Sequence, residues 1–152
     1  MNSTTERELF ITREFRAPRE LVWEAWTNPK HVIHWWGPNG FTNTIHEMNV
    51  TPGGVWRYMM HGPDGTDFPN RITYKEVVKP KLLTYLHDSD KENDPAQFHV
   101  TVNFKAKGNF TEITMRMVFR DKVTRDMVVT KYGAIEGGNQ TLNKLEQYLL
   151  TM

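Results

Sequence analysis

The sequence predicts an α+β domain: a curved antiparallel sheet of six to seven strands, two short helices near the start and a long C-terminal helix. Three observations carry that reading. Between residues 41 and 119, apolar and polar side chains alternate in short runs separated by turn residues. Residues 17–36 and 124–150 repeat their apolar side chains at helical spacing instead. The links between strand-like runs are short, which favours an antiparallel meander.

Each element follows from its residues. Residues 8–16 alternate Leu9, Ile11, Arg13 and Phe15 against Phe10, Thr12 and Glu14. Ala17-Pro18 opens a helix, because proline loses nothing at a first-turn position whose N–H has no partner. Leu21, Val22, Ala25 and Trp26 form its apolar stripe. Thr27-Asn28-Pro29 ends it and starts a second short helix over 31–36, which Gly37-Pro38 stops. Strands are expected over 41–50, 55–61, 66–78, 82–87, 98–105 and 110–119. Their turns are Thr51-Pro52-Gly53-Gly54, Gly62-Pro63-Asp64-Gly65, Lys79-Pro80-Lys81 and Lys107-Gly108-Asn109, with a charged polar loop over 88–95. One helix is expected over 124–150, with its stripe at Val128, Tyr132, Ile135, Leu142, Leu145 and Leu149.

Composition narrows the function. The 152 residues suit a single domain, 1–152, with residues 1–7 as a polar N-terminal tail. A formal net charge of +1 gives no electrostatic reason for a nucleic-acid or membrane partner. No apolar run approaches the ~20 residues of a membrane span, and the N-terminus lacks a signal-peptide core. With no Cys there are no disulfides, thiolate metal sites or Cys nucleophiles, and the expected setting is cytoplasmic. His31 and His34 share a helix face without a third ligand, so no metal is expected. No Gly-x-Ser-x-Gly elbow and no phosphate-binding glycine loop occurs, and no cofactor is expected.

Four stretches carry a resemblance. They are 15–23 (Phe-Arg-Ala-Pro-Arg-Glu-Leu-Val-Trp), Trp35-Trp36-Gly37-Pro38, 52–58 (Pro-Gly-Gly-Val-Trp-Arg-Tyr) and 133–142 (Gly-Ala-Ile-Glu-Gly-Gly-Asn-Gln-Thr-Leu). In this order the chain resembles the START/Bet v 1-like (SRPBCC) superfamily. Within it, the chain is similar to homologues of the C-terminal domain of the heat shock protein 90 ATPase activator (Aha-type). The resemblance implies a helix-grip fold, which hosts carriers, cyclases, hydrolases and co-chaperone modules. It implies a chaperone partner only through this one domain.

A strongly curled sheet under a single helix encloses more space than one helix always fills. If Trp56, Tyr58 and Met60 face inward, they line that concave face with aromatic rings and a flexible thioether. Ile72, Tyr74, Tyr85, Met115 and Met117 extend the wall, and Trp36 borders its mouth, with Trp35 nearer the core. From the terminal helix come Tyr132, Glu136 and Asn139, the latter two flanking Gly137-Gly138. Alternation alone leaves two readings open, a ligand cavity or a filled core. The expected partner is a small hydrophobic or amphipathic molecule. The alternatives are an enzyme pairing Glu136 with Tyr58, or a strand histidine with Tyr85, and an ATPase-stimulating interaction module. Unpaired sheet edges also leave room for a homodimer.

Overall fold

The computed structural model describes residues 5–130 and 133–152. The strand runs form β1 (Glu8–Phe15), β2 (Thr42–Met48), β3 (Val55–His61), β4 (Asp67–Val78), β5 (Leu82–Asp88), β6 (Phe98–Lys107) and β7 (Phe110–Phe119). They pair antiparallel in one seven-stranded sheet, ordered β1-β7-β6-β5-β4-β3-β2. Register shifts across His46 in β2 and Lys75 in β4 add local bends that deepen the curl. Between β1 and β2 run α1 (Arg19–Thr27) and α2 (Pro29–Val32). The Asn28 side chain accepts from the Lys30 N–H and caps α2. Residues 5–7, expected as part of a tail, form a single 3-10 turn, and the Arg7 guanidinium donates to the Phe119 carbonyl at 2.7 Å.

The expected terminal helix over 124–150 is two helices, α3 (Lys122–Thr130) and α4 (Ala134–Leu149). Gly133, ahead of α4, sits at φ 60, a left-handed conformation that glycine reaches without a side-chain clash. Ile135, expected in the buried stripe, is 47% exposed.

α4 lies in the concave face of the sheet and is fastened on both flanks. Arg13 of β1 pairs with Glu146 at 2.7 Å and donates to the Asn143 side chain. Lys144 donates to the carbonyls of Gly37 and Pro38 at 3.2 and 3.4 Å, and Gln140 accepts from the Asn39 N–H. The core sits between sheet and helices: Val22, Trp23, Ala25 and Trp26 of α1 and Leu142, Leu145 and Leu149 of α4 meet Leu83, Val102, Phe104 and Ile113 of the sheet. Phe104 meets the edges of Trp23 and Trp26 at 5.1 and 5.5 Å.

The charged loop after β5 is tied down rather than freely solvated. Asp88 and Asp94 are buried, and Arg71 grips Asp88 with Nε and Nη2 at 3.0 and 2.9 Å. Asp94 accepts the backbone N–H groups of Ser89 and Ala96.

Candidate functional site

The leucines of α4 cover one half of the concave face. Its first two turns carry Ala134, Gly137, Gly138 and Thr141 toward the other half. Small side chains there leave a cavity of about 290 Å³. Taking ~30 Å³ for each water, that is room for roughly ten. Its wall is apolar: Met60 from β3, Phe98 and Val100 from β6, Met115 and Met117 from β7, Ile11 from β1 and the tryptophan corner. Among the described residues that line it, none carries a carboxylate, an ammonium or a guanidinium.

Gly138 explains how α4 comes so close. A methyl group added at Gly138 would stand 2.8 Å from Cδ1 of Ile11, and one at Gly137 would stand 3.4 Å from Cγ of Pro38. Close approach and cavity lining therefore occur together at Gly138, whereas Gly137 lines the cavity at ordinary contact distance from Pro38. Glycine costs about 1 kcal/mol against alanine in a helix interior, and this packing offsets that cost.

One side of the cavity is polar, and strand register puts it there. Tyr58 of β3 stands opposite Asn70 of β4, and His87 of β5 stands opposite Ile72, two residues along the same face from Asn70. The side chains form a chain. Trp36 Nε1–H donates to the Tyr58 hydroxyl at 2.9 Å, His87 Nε2 lies 3.4 Å from that hydroxyl, and the same Nε2 lies 2.8 Å from Oδ1 of Asn70. The Asn70 amide N–H2 donates to the Phe68 carbonyl at 3.0 Å, which fixes the direction of the amide. Burial pushes the His87 imidazole down to about 4, against a smaller upward pull from Asp88 and Asp94, so the ring is neutral at pH 7. His87 is half-buried and lines the cavity. Burial also raises Tyr58 and Tyr85 well above the ordinary phenol range, so both keep their protons.

Residues 16–150 match the family described as Activator of Hsp90 ATPase homolog 1-like protein. The chain belongs to that family. Solved structures agree on the fold. A protein from Arthrobacter aurescens is 24% identical with a TM-score of 0.89, over 100% of this chain and 91% of that one. A Mycobacterium smegmatis protein is 24% identical with a TM-score of 0.87, over 99% and 96%. A Staphylococcus epidermidis protein is 26% identical with a TM-score of 0.83, over 95% and 90%. No curated protein matches the chain. The architecture of this family member, a curved seven-stranded sheet around a C-terminal helix, is the helix-grip fold.

Of the residues singled out in the sequence, Trp36, Tyr58, Met60, Tyr85, Met115 and Met117 line the cavity. Trp56, Ile72 and Tyr74 do not: each is at most 2% exposed and belongs to the filled core. Trp56 stacks on Tyr58 at 4.4 Å and meets the edge of Trp36 at 4.9 Å, so rings occupy the space a ligand would need. Glu136 and Asn139 are exposed, because neighbours on a helix point about 100° apart and their glycine neighbours take the inward face. Tyr132 lies outside the described residues. Trp35 is fully buried, donates to the Ala25 carbonyl at 3.0 Å and also contributes to the wall, while Trp36 reaches over to Tyr58.

Asn70 and His87 were missed as a pair. Stepping back two residues from Ile72 finds Asn70, and stepping on two from Tyr85 finds His87. The other histidines serve elsewhere. His31 contacts the Tyr148 hydroxyl at 2.7 Å and His34 stacks on that ring. His61 bridges Thr44 and Asp67 at 2.8 and 2.7 Å, a relay that none of the cavity-lining residues joins. Among the described residues no three His, Asp or Glu side chains group to hold a metal, and no helix is long and apolar enough to cross a membrane.

Proposed function

We propose that the protein binds a small hydrophobic or amphipathic molecule in the cavity between the sheet and the first turns of α4. The observation that carries this reading is the cavity itself, about 290 Å³ in volume, walled by Met60, Phe98, Met115 and Met117, with its polar side chains gathered mainly on the Tyr58 side. The volume lies at the lower edge of the ~300–1,000 Å³ of ligand pockets, which suits a compact molecule of two or three rings. Thioethers adapt to irregular apolar shapes, and tyrosine and tryptophan supply polar contacts without a net charge.

The Tyr58–His87 contact supports a second reading, acid–base chemistry on the same scaffold. Tyr58 would then polarise a carbonyl as a hydrogen-bond donor. A histidine held near 4 is a weak base at neutral pH, which favours holding over proton abstraction. The family description also invites a third role, that of an Aha-type C-terminal domain stimulating a chaperone ATPase. That role needs an exposed contact face, whereas the feature found here points inward.

Native mass spectrometry of the freshly purified protein, followed by extraction and identification of the adduct, tests the first reading. A bound apolar molecule is expected in the wild type and a marked reduction of it in Met117→Trp, whose bulkier side chain takes up part of the cavity. An adduct equally abundant in a correctly folded Met117→Trp protein would place it elsewhere and reject the reading.

A further inference from the structure

The polar side of the cavity contains more information than its apolar wall, because its protons can be assigned. Asn70 Oδ1 only accepts, and its orientation is set by the amide donating to Phe68. The 2.8 Å contact with His87 Nε2 therefore requires the proton of the neutral imidazole on Nε2. A protonated Nε2 cannot accept from Tyr58, so the 3.4 Å approach between them is not a hydrogen bond donated by the phenol. The Tyr58 oxygen accepts from Trp36 Nε1–H, which fills one acceptor site and leaves the hydroxyl hydrogen free. No other acceptor among the described residues engages it. Two uncharged hydroxyl donors, those of Tyr58 and Tyr85, thus stand at a wall whose described residues carry no charge, and among the described residues only the Tyr58 hydroxyl is oriented by a donor, Trp36.

We infer that the cavity selects an uncharged apolar molecule bearing one hydrogen-bond acceptor, in the simplest case a carbonyl oxygen, and seats that acceptor on the Tyr58 hydroxyl. This rests on the ligand-binding reading above and names the chemical class that the same site takes. A carboxylate is disfavoured because no described cation lines the cavity to offset its desolvation. An ammonium is disfavoured for the same reason, with no described carboxylate there. A plain hydrocarbon fits the wall but leaves the phenol O–H without a partner.

The test is a matched set of two-ring probes: benzophenone, its hydrocarbon counterpart diphenylmethane, and diphenylacetate. Titration calorimetry on the wild type should show benzophenone binding roughly tenfold more tightly than diphenylmethane, the worth of one neutral hydrogen bond. Diphenylacetate should bind weaker than benzophenone by roughly a hundredfold or more. In Tyr58→Phe the ketone preference should fall to about parity while diphenylmethane still binds, which shows that the cavity survives the change. The infrared carbonyl stretch of bound benzophenone should lie lower in the wild type than in Tyr58→Phe. Equal affinity for ketone and hydrocarbon in the wild type overturns the inference and leaves ligand binding standing. Loss of the preference in Tyr85→Phe but not in Tyr58→Phe overturns the assignment to Tyr58. A wild type that binds neither neutral probe sinks the cavity reading and the inference with it.

Discussion

The two halves of α4 cover different things. The C-terminal half lays Leu145 and Leu149 into the core with α1 and the Trp23–Phe104 aromatic pair, and that space is filled, while Leu142 sits at the boundary and borders the cavity. The N-terminal half presents Ala134, Gly137, Gly138 and Thr141, and that space is open. One amphipathic helix thus seals a core at one end and roofs a cavity at the other. Side-chain volume along a single helix face is enough to separate a stabilising region from a binding region.

The largest expected effect breaks the filled half. Phe104→Ala removes a ring that touches two tryptophan edges and should cost about 3–5 kcal/mol in denaturant unfolding. The matching change in the open half, Met117→Ala, should cost only about 1 kcal/mol, because Met117 already borders empty space and leaves few new contacts unmade. Equal costs would mean that the two halves are packed alike.

Acid should weaken the open half through His87. Its folded value of about 4 lies below the 6.5 of an unperturbed histidine, so the unfolded chain binds the extra proton between these limits. Stability is therefore full above about pH 6.5 and falls as pH drops toward 4, by about 3 kcal/mol. His99 shifts in the same sense, through burial, Lys75 and Arg7. His87→Gln should flatten most of that slope in unfolding curves taken across the window, and an unchanged slope would remove His87 as its source.

The smallest effect separates stability from binding. Gly137→Ala adds a methyl at ordinary contact distance from Pro38 and gains helix propensity, so it should raise stability by about 0.5–1 kcal/mol. The same methyl narrows the cavity and should weaken benzophenone binding severalfold. A variant that is more stable and binds as well as the wild type would show that Gly137 does not shape the site.

The fold was legible in the sequence because strand alternation, turn residues and helix stops agree along the whole sheet region. The long C-terminal helix is present as α4, but its start was set too early, because Gly133 turns left-handed and periodicity on either side does not register such a residue. The site was legible in part. Alternation correctly turned Trp56, Tyr58, Ile72, Tyr74 and Tyr85 inward, but an inward direction does not tell whether the space beyond is occupied. Trp56 and Tyr74 end against other rings, whereas Tyr58 and Tyr85 face the gap beneath small helix residues. Glu136 drew attention as the carboxylate beside the glycines, yet the glycines themselves face the cavity.

The eight methionines provide the most direct test of the open half. Met60, Met115 and Met117 line the cavity, while Met48, Met59 and Met127 do not. In a carbon–proton spectrum of the methionine methyl groups, titration with benzophenone should move the signals of Met60, Met115 and Met117 and leave those of Met48, Met59 and Met127 in place. Saturable shifts confined to the second group, or no shifts in the first, would contradict a ligand site beneath the glycines of α4.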